Sequence, residues 1–287
     1  MIRILTDSTA DILPEEAKQL GLLLVPLQVT FEDGISYRDG MDLSVDEFYK
    51  KLEACRELPT TSQPSPGLFQ DQFELAKEAG DEVIAILLSG KLSGTCQAAA
   101  IAAEACDYDK VHIVDSLSAT LGTQLLVRLA LKMRDDGCTA DEIVETLERE
   151  RNRVCILAVV NDLKYFRKGG RLSGAEAFAG SLLGIKPLVR VRDGLVGLAG
   201  KARGLPGAYV QLFKKLEEEG GIDTAMPYLV GATGRPKAAE PIIQYLTGNM
   251  GLEVKECRHI GTVIGTHAGP GAAGIAFFVK GALSEIK

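Results

Sequence analysis

Short apolar runs alternate with amphipathic stretches along the chain, a pattern that predicts an α/β fold with much parallel sheet. The first run, Ile2-Arg3-Ile4-Leu5, reads as a strand. Residues 14–20 read as a short helix, with Pro14 at its start and Gly21 just past its end, the asymmetry expected of helix termini. The pattern then gives a strand over 22–31 closed by Glu32-Asp33-Gly34, helices over 45–56 and 68–79, and a buried strand over 82–88. An Ala-rich helix over 95–105, a strand over 112–115 and helices over 119–135 and 140–152 complete a first unit of usual domain size.

A second unit opens at the apolar run 154–160 and continues with an Ala-rich helix candidate over 175–183. Two alternating stretches, 187–192 and 195–199, flank Asp193-Gly194. That is a strong hairpin signal, so this sheet is predicted to contain antiparallel pairs. Helices follow over 208–219 and 238–250, and strands over 228–232, 253–259 and 274–279. No Pro/Ser linker separates the units. The expected architecture is two closely joined α/β domains, 1–153 with a mostly parallel sheet and 154–287 with a mixed sheet and helices.

Composition narrows the function classes. With 287 residues, nearly half apolar and a quarter charged, the chain can bury a sizeable core. No run approaches the roughly 20 apolar residues that span a bilayer. MIRILTDSTAD passes from a short apolar run straight into Asp and Ser, unlike a secretory signal, so a cytoplasmic protein without an integral membrane segment is expected. The net charge of -7 argues against nucleic acid, whose phosphates are held by clustered Lys and Arg. Six cysteines with no C-x-x-C pair and no histidine at ligand spacing read as reduced thiols, with no metal.

Several motifs invite chemistry. Ser89-Gly90-Lys91-Leu92-Ser93-Gly94-Thr95 joins a predicted strand to a helix, where open α/β sheets bind ligands and free helix amides attract anions. The alternative is a turn whose Ser and Thr cap the helix. It is neither a P-loop, which needs Ser or Thr after Gly-Lys, nor a G-x-S-x-G nucleophile elbow. Gly269-Pro270-Gly271-Ala272-Ala273-Gly274 fits G-x-G-x-x-G, but an apolar strand-like run follows it rather than a helix, so it reads as a loop of close backbone approach. His267 stands just before it.

Pro59-Thr60-Thr61-Ser62-Gln63-Pro64-Ser65-Pro66 is a polar connector or a rigid loop of pre-placed donors. Lys168-Gly169-Gly170-Arg171 reads as a helix stop with a cation, or as an arginine held near an anion. Gly90-Lys91-Leu92-Ser93-Gly94 recurs as Gly170-Arg171-Leu172-Ser173-Gly174 with unmatched flanks, which suggests one turn chemistry used twice.

Taken in order, these stretches resemble the DegV family of bacterial fatty-acid-binding proteins, lipid carrier subunits of fatty acid kinase. The resemblance runs nearly end to end: Thr6-Asp7-Ser8 with Asp11, Val25-Pro26-Leu27, YRDGMD at 37–42, TTSQPSP at 60–66, Leu92-Ser93-Gly94-Thr95, Val114-Asp115-Ser116, KGGRLS at 168–173, Ile185-Lys186-Pro187 and GTHAGPG at 265–271. It implies a carrier of one long-chain fatty acid, with that lipid as ligand and no cofactor, rather than an enzyme complete in itself. The carboxylate is expected on Thr61 and Ser93, with Arg171 and His267 near the head group. The implied partner is a separate ATP-dependent kinase subunit that makes the acyl phosphate. Gly90 and Cys96 depart from the family's usual Ser and Tyr. Rival readings are a phosphotransferase on a small hydroxy-ketone and a lipid-sensing regulatory module.

A tail of about fifteen methylenes contributes on the order of 12 kcal/mol gross at roughly 0.8 per CH₂. The carboxylate opposes burial unless it receives good hydrogen bonds. Charge for it is expected from Arg171 or a protonated His267, and Ala175, Ala177, Phe178, Ala179, Leu182 and Leu183 are candidates to line a tunnel.

Overall fold

From the N-terminus the chain runs β1 (Ile2–Asp7), α1 (Pro14–Gln19), β2 (Leu22–Val25), β3 (Gln28–Thr30), β4 (Ser36–Arg38), α2 (Val45–Ala54) and β5 (Thr60–Ser62). It continues through α3 (Pro66–Ala79), β6 (Glu82–Leu87), α4 (Thr95–Cys106), β7 (Val111–Asp115), α5 (Thr120–Asp135) and α6 (Ala140–Glu150). These come from a computed structural model, which describes residues 1–173 and 184–281. The tunnel candidates from Ala175 to Leu183, and the helix expected over 175–183, lie outside the described residues.

Strands β2-β1-β6-β7 form a parallel sheet. Val83, Ala85 and Leu87 of β6 pack with Phe69, Phe73 and Ala98 of α3 and α4, while Ile84 and Ile86 meet Leu125 and Leu126 of α5. Helices cover both faces, so this strand reads as a continuous apolar run without alternation.

The single strand expected over 22–31 is two. Pro26 has no N–H for a ladder, and the chain changes sheets there. Leu22–Val25 pairs with β1, whereas Gln28–Thr30 pairs antiparallel with β4 and β5 in a separate three-stranded sheet. The connector expected over 59–66 is correspondingly in part a strand, with Thr61 opposite the buried Val29. Period-two alternation turns Thr61 inward and leaves Thr60 and Ser62 exposed.

The second unit contains β8 (Val154–Val159), α7 (Lys164–Gly169), β9 (Leu172–Ser173), β10 (Ile185–Arg192), β11 (Leu195–Arg203) and α8 (Gly204–Glu218). Then come β12 (Tyr228–Ala232), α9 (Glu240–Gln244), β13 (Cys257–His259), α10 (Thr262–Ala268) and β14 (Ala273–Phe278). The sheet order is β13-β12-β14-β8-β10-β11-β9, with parallel pairs only at its two edges. The Asp193-Gly194 hairpin forms as expected: φ is 53° and 80°, the left-handed pair of a type I′ turn. The strand expected over 253–259 is shorter, because exposed Glu253, Lys255 and Glu256 precede the paired segment. The helix expected over 238–250 divides into a 3₁₀ turn, α9 and a π turn over Tyr245–Asn249.

Helix α5 lies between the two large sheets. Its buried Leu121, Leu125 and Leu126 share one core with Ile4 and Ile84 of the parallel sheet and with Ile156 and Val189 of the mixed one. The other face of the mixed sheet, including Cys155, Leu157 and Val159, packs on Tyr209, Leu212 and Leu216 of α8. The expected α/β class, with one parallel and one mixed sheet flanked by helices, is the observed architecture.

Candidate functional site

In the parallel sheet, β2 lies on one side of β1 and β6 on the other. Connections leave β1 and β6 in opposite directions, and such a switch point opens a crevice at the carboxyl ends of the strands. A buried carboxylate ties the two exits together: Leu88 N–H donates to Asp7 Oδ2 at 2.7 Å. Beyond them lies a cavity of about 350 Å³, within the roughly 300–1,000 Å³ usual for ligand sites.

The inner face of the mixed sheet makes one wall, with Ile156 and Ala158 of β8, Val189 and Val191 of β10 and Val196 of β11. Register brings the smallest residues of this wall together. Gly231, Gly274 and Ala158 stand side by side on β12, β14 and β8, so three neighbouring positions carry one methyl group between them. Added bulk has nowhere to go: a Cβ on Gly231 would lie 2.8 Å from Leu121 Cδ1 and 2.9 Å from Ile260 Cδ1. Leu27, Leu92, Phe166 and Ile264 are among the residues that add to the apolar lining.

Thr61, Gln63, Ser93, Arg171 and His267 line the same cavity. The structure therefore brings all four residues singled out by sequence to one chamber. Thr61 Oγ1 lies 2.9 Å from His267 Nε2. Arg171 donates from Nε to Leu92 O at 3.2 Å, beside Ser93, and from Nη1 to Gly169 O at 2.5 Å. Arg171 is exposed, as are Ser62 and Gln63, so this polar group faces the solvent side.

Ser93 precedes α4, whose N-cap is Gly94 with no side-chain cap bond. The alternative reading of this turn, Ser and Thr capping the helix, is not met; Ser93 Oγ pairs with Thr95 Oγ1 at 2.9 Å. Gln63, in sequence one polar residue among several, crosses this helix start. A Cβ on Gly94 would sit 2.1 Å from Gln63 Oε1. No motif marks that contact, since it joins segments about thirty residues apart through a glycine.

His267 is carried by α10, whose first turn is bonded to the first unit. Gly261 N–H donates to Asp11 at 2.8 Å and Thr262 N–H to Asp39 at 2.9 Å. Burial, aided by the positive charge of Arg171, lowers the His267 pKa to about 4, so its imidazole is neutral near pH 7. Of the two sources of charge expected, Arg171 or a protonated His267, the ligand-free protein therefore offers Arg171. Nδ1 is buried without a hydrogen-bond partner among the described residues. A buried orphan N–H is rarer than an under-used acceptor, which assigns the proton to Nε2. Nε2–H then donates to Thr61 Oγ1 and turns the threonine's own proton outward.

The recurring G-[KR]-L-S-G stretches do not share one turn chemistry. Residues 90–94 form the turn before α4, whereas Gly170 is the left-handed cap of α7 and Leu172–Ser173 is strand β9. The two meet through Arg171 and Leu92. The glycine loop at 269–274 leads into β14 as expected: Cβ atoms on Gly269 and Gly271 would each come within 2.2 Å of Tyr165 and Asn161, respectively.

These features define an α/β protein with an apolar chamber between two sheets and a cluster of hydrogen-bond donors on its solvent side, a shape suited to an amphipathic anion. Residues 1–280 match the family described as "Uncharacterised protein, DegV family", and the chain belongs to it. A DegV domain-containing protein of Halalkalibacterium halodurans is 36% identical over 280 residues, covering 97% of this chain and 99% of its own. A DegV family protein from Thermus thermophilus, whose structure concerns fatty acid binding, superposes with a TM-score of 0.87 at 33% identity, covering 97% of this chain and 99% of that one. The fatty acid (stearic acid)-binding protein from Eubacterium ventriosum gives 0.86 at 26% identity, with 98% and 99% covered. No helix among the described residues is long and apolar enough to cross a membrane.

Proposed function

We propose that this chain binds a single long-chain fatty acid, its tail along the mixed sheet and its carboxylate on Thr61 and Ser93, with Arg171 and His267 completing the head-group site. The observation that carries the reading is one apolar cavity, lined on its solvent side by two hydroxyls, a neutral imidazole and a guanidinium. The relatives known to bind fatty acids share this fold at 26–33% identity, which supports extending their ligand class to it. Apolar burial drives the tail inward, while the carboxylate must exchange water for hydrogen bonds of comparable quality.

A carrier role follows from the same layout. The exposed guanidinium of Arg171 puts the head group near the surface, where a separate ATP-dependent fatty acid kinase subunit would reach it and form the acyl phosphate. The units 1–153 and 154–287 serve as the two halves of the lipid chamber. Denaturing the purified protein, extracting with organic solvent and running mass spectrometry should recover one fatty acid per chain. Repeated recovery of none, together with no uptake of palmitate or oleate, would refute lipid binding. Incubation with Mg-ATP tests the carrier role: acyl phosphate should form only when the kinase subunit is added, and turnover without it would refute the division of labour.

A further inference from the structure

Two adjacent glycines close α7, and the structure gives them different jobs. Gly170 has φ of 68° and forms the left-handed cap, and an added Cβ there would meet nothing within 4 Å among the described residues. Gly169 is not in the left-handed region, so its backbone would accept any L residue. What it lacks is room. A Cβ there would sit 2.1 Å from His267 Nδ1 and 2.6 Å from Cε1, far inside contact distance. The imidazole is therefore held on two sides, by the Gly169 backbone at Nδ1 and by Thr61 Oγ1 at Nε2. The Gly169 carbonyl also accepts from Arg171 Nη1.

We infer that Gly169 is a positioning residue for the head-group site: its missing side chain seats His267 against Thr61, and so aims the threonine hydroxyl at the carboxylate. The inference rests on the fatty-acid reading above and adds a residue to it. A methyl group at this position must push the ring away from Gly169, and α10 allows little travel because Gly265 packs against Phe48 and Tyr49. The ring would rotate off Thr61, leaving that hydroxyl free to point elsewhere.

The test is a double-mutant cycle on delipidated protein, Gly169→Ala and His267→Ala singly and together, using palmitate and its alcohol as probes. Gly169→Ala should weaken palmitate binding about tenfold, the loss expected when one hydrogen bond to a charged group is misaligned. Alcohol binding should stay nearly unchanged. In the His267→Ala background, where the added methyl meets no ring, Gly169→Ala should cause no further loss. Imidazole NMR supplies a readout independent of ligand: with His112, His259 and His267 the only histidines, the His267 resonances should move in Gly169→Ala and the other two should not.

Unmoved His267 resonances, or an equal loss of palmitate affinity with and without the ring, would overturn the inference. If wild-type protein binds no fatty acid at all, the functional reading fails separately, and the imidazole shift still decides whether Gly169 seats His267.

Discussion

Replacing Thr61 by valine removes one hydroxyl and almost nothing else. Valine keeps the β-branched shape that suits strand β5 opposite Val29. In the lipid complex the lost donor is one hydrogen bond to a carboxylate, about 1.5–3 kcal/mol. At about 1.4 kcal/mol per tenfold, Kd should rise roughly 10- to 100-fold. The free protein is affected too, because His267 Nε2, 2.9 Å from the hydroxyl, loses its partner. That costs up to about 1–3 kcal/mol, but it is present with and without ligand, so it appears in Tm rather than in Kd. Calorimetric titration of delipidated protein with palmitate and with the corresponding alcohol separates the two effects. Thr61→Val should lose acid affinity, keep alcohol affinity and melt somewhat lower. If the variant discriminates acid from alcohol as well as wild type does, the carboxylate does not sit on Thr61.

The pH dependence of stability should carry two opposed signatures. His267 has a lowered pKa, so the unfolded chain binds more protons between pH 6.5 and about 4; stability falls as pH drops through that window, by at most about 3 kcal/mol, and His267→Ala should flatten the acid limb of a Tm-versus-pH curve. Asp11 is pushed up to about 8, chiefly by burial and also by neighbouring Asp39, with Arg258 opposing. Its contribution is present below pH 3.8 and lost as pH rises through 8. Asparagine keeps an acceptor for the Gly261 N–H, turns its amide N–H toward Thr120 Oγ1, which then accepts, and tolerates the left-handed φ of 54°. Asp11→Asn should therefore reduce the fall in Tm between pH 3.8 and about 8 by more than about 2 °C, the shift expected from roughly 1 kcal/mol; an unchanged fall would show that Asp11 does not titrate there. Gly231→Ala should drive the Leu121 and Ile260 side chains into the cavity, shifting the extracted lipids to shorter chains on mass spectrometry, and an unaltered profile would place the tail elsewhere. Because one core joins both sheets, calorimetry should show a single unfolding transition, and two resolved transitions would mean the units fold independently.

Ser93 was legible because its strand-to-helix setting is local, and the hairpin at Asp193-Gly194 because its turn needs two left-handed residues. Thr61 was marked only by resemblance. Its inward direction depends on β3 lying alongside, a pairing between residues about thirty apart that no local pattern announces. The same holds for Pro26, whose missing N–H was visible but whose consequence, a change of sheet, was not.

The sequence by itself determined the alternation of strands and helices, the parallel and mixed character of the two sheets, and the residue types available to meet an anion. These follow from periodicity, capping and turn chemistry, all short-range properties of the chain. Tertiary structure decided the chamber and the state of its polar side. Gly231, Gly274 and Ala158 form one small-residue patch on the cavity wall only because three strands from distant parts of the chain align them. His267 stays neutral well into the acid range because folding buries it beside Arg171, and Gly169 matters only because α10 brings that ring against it. Free volume and desolvation depend on what long-range packing places nearby, and a residue's sequence neighbours do not encode that.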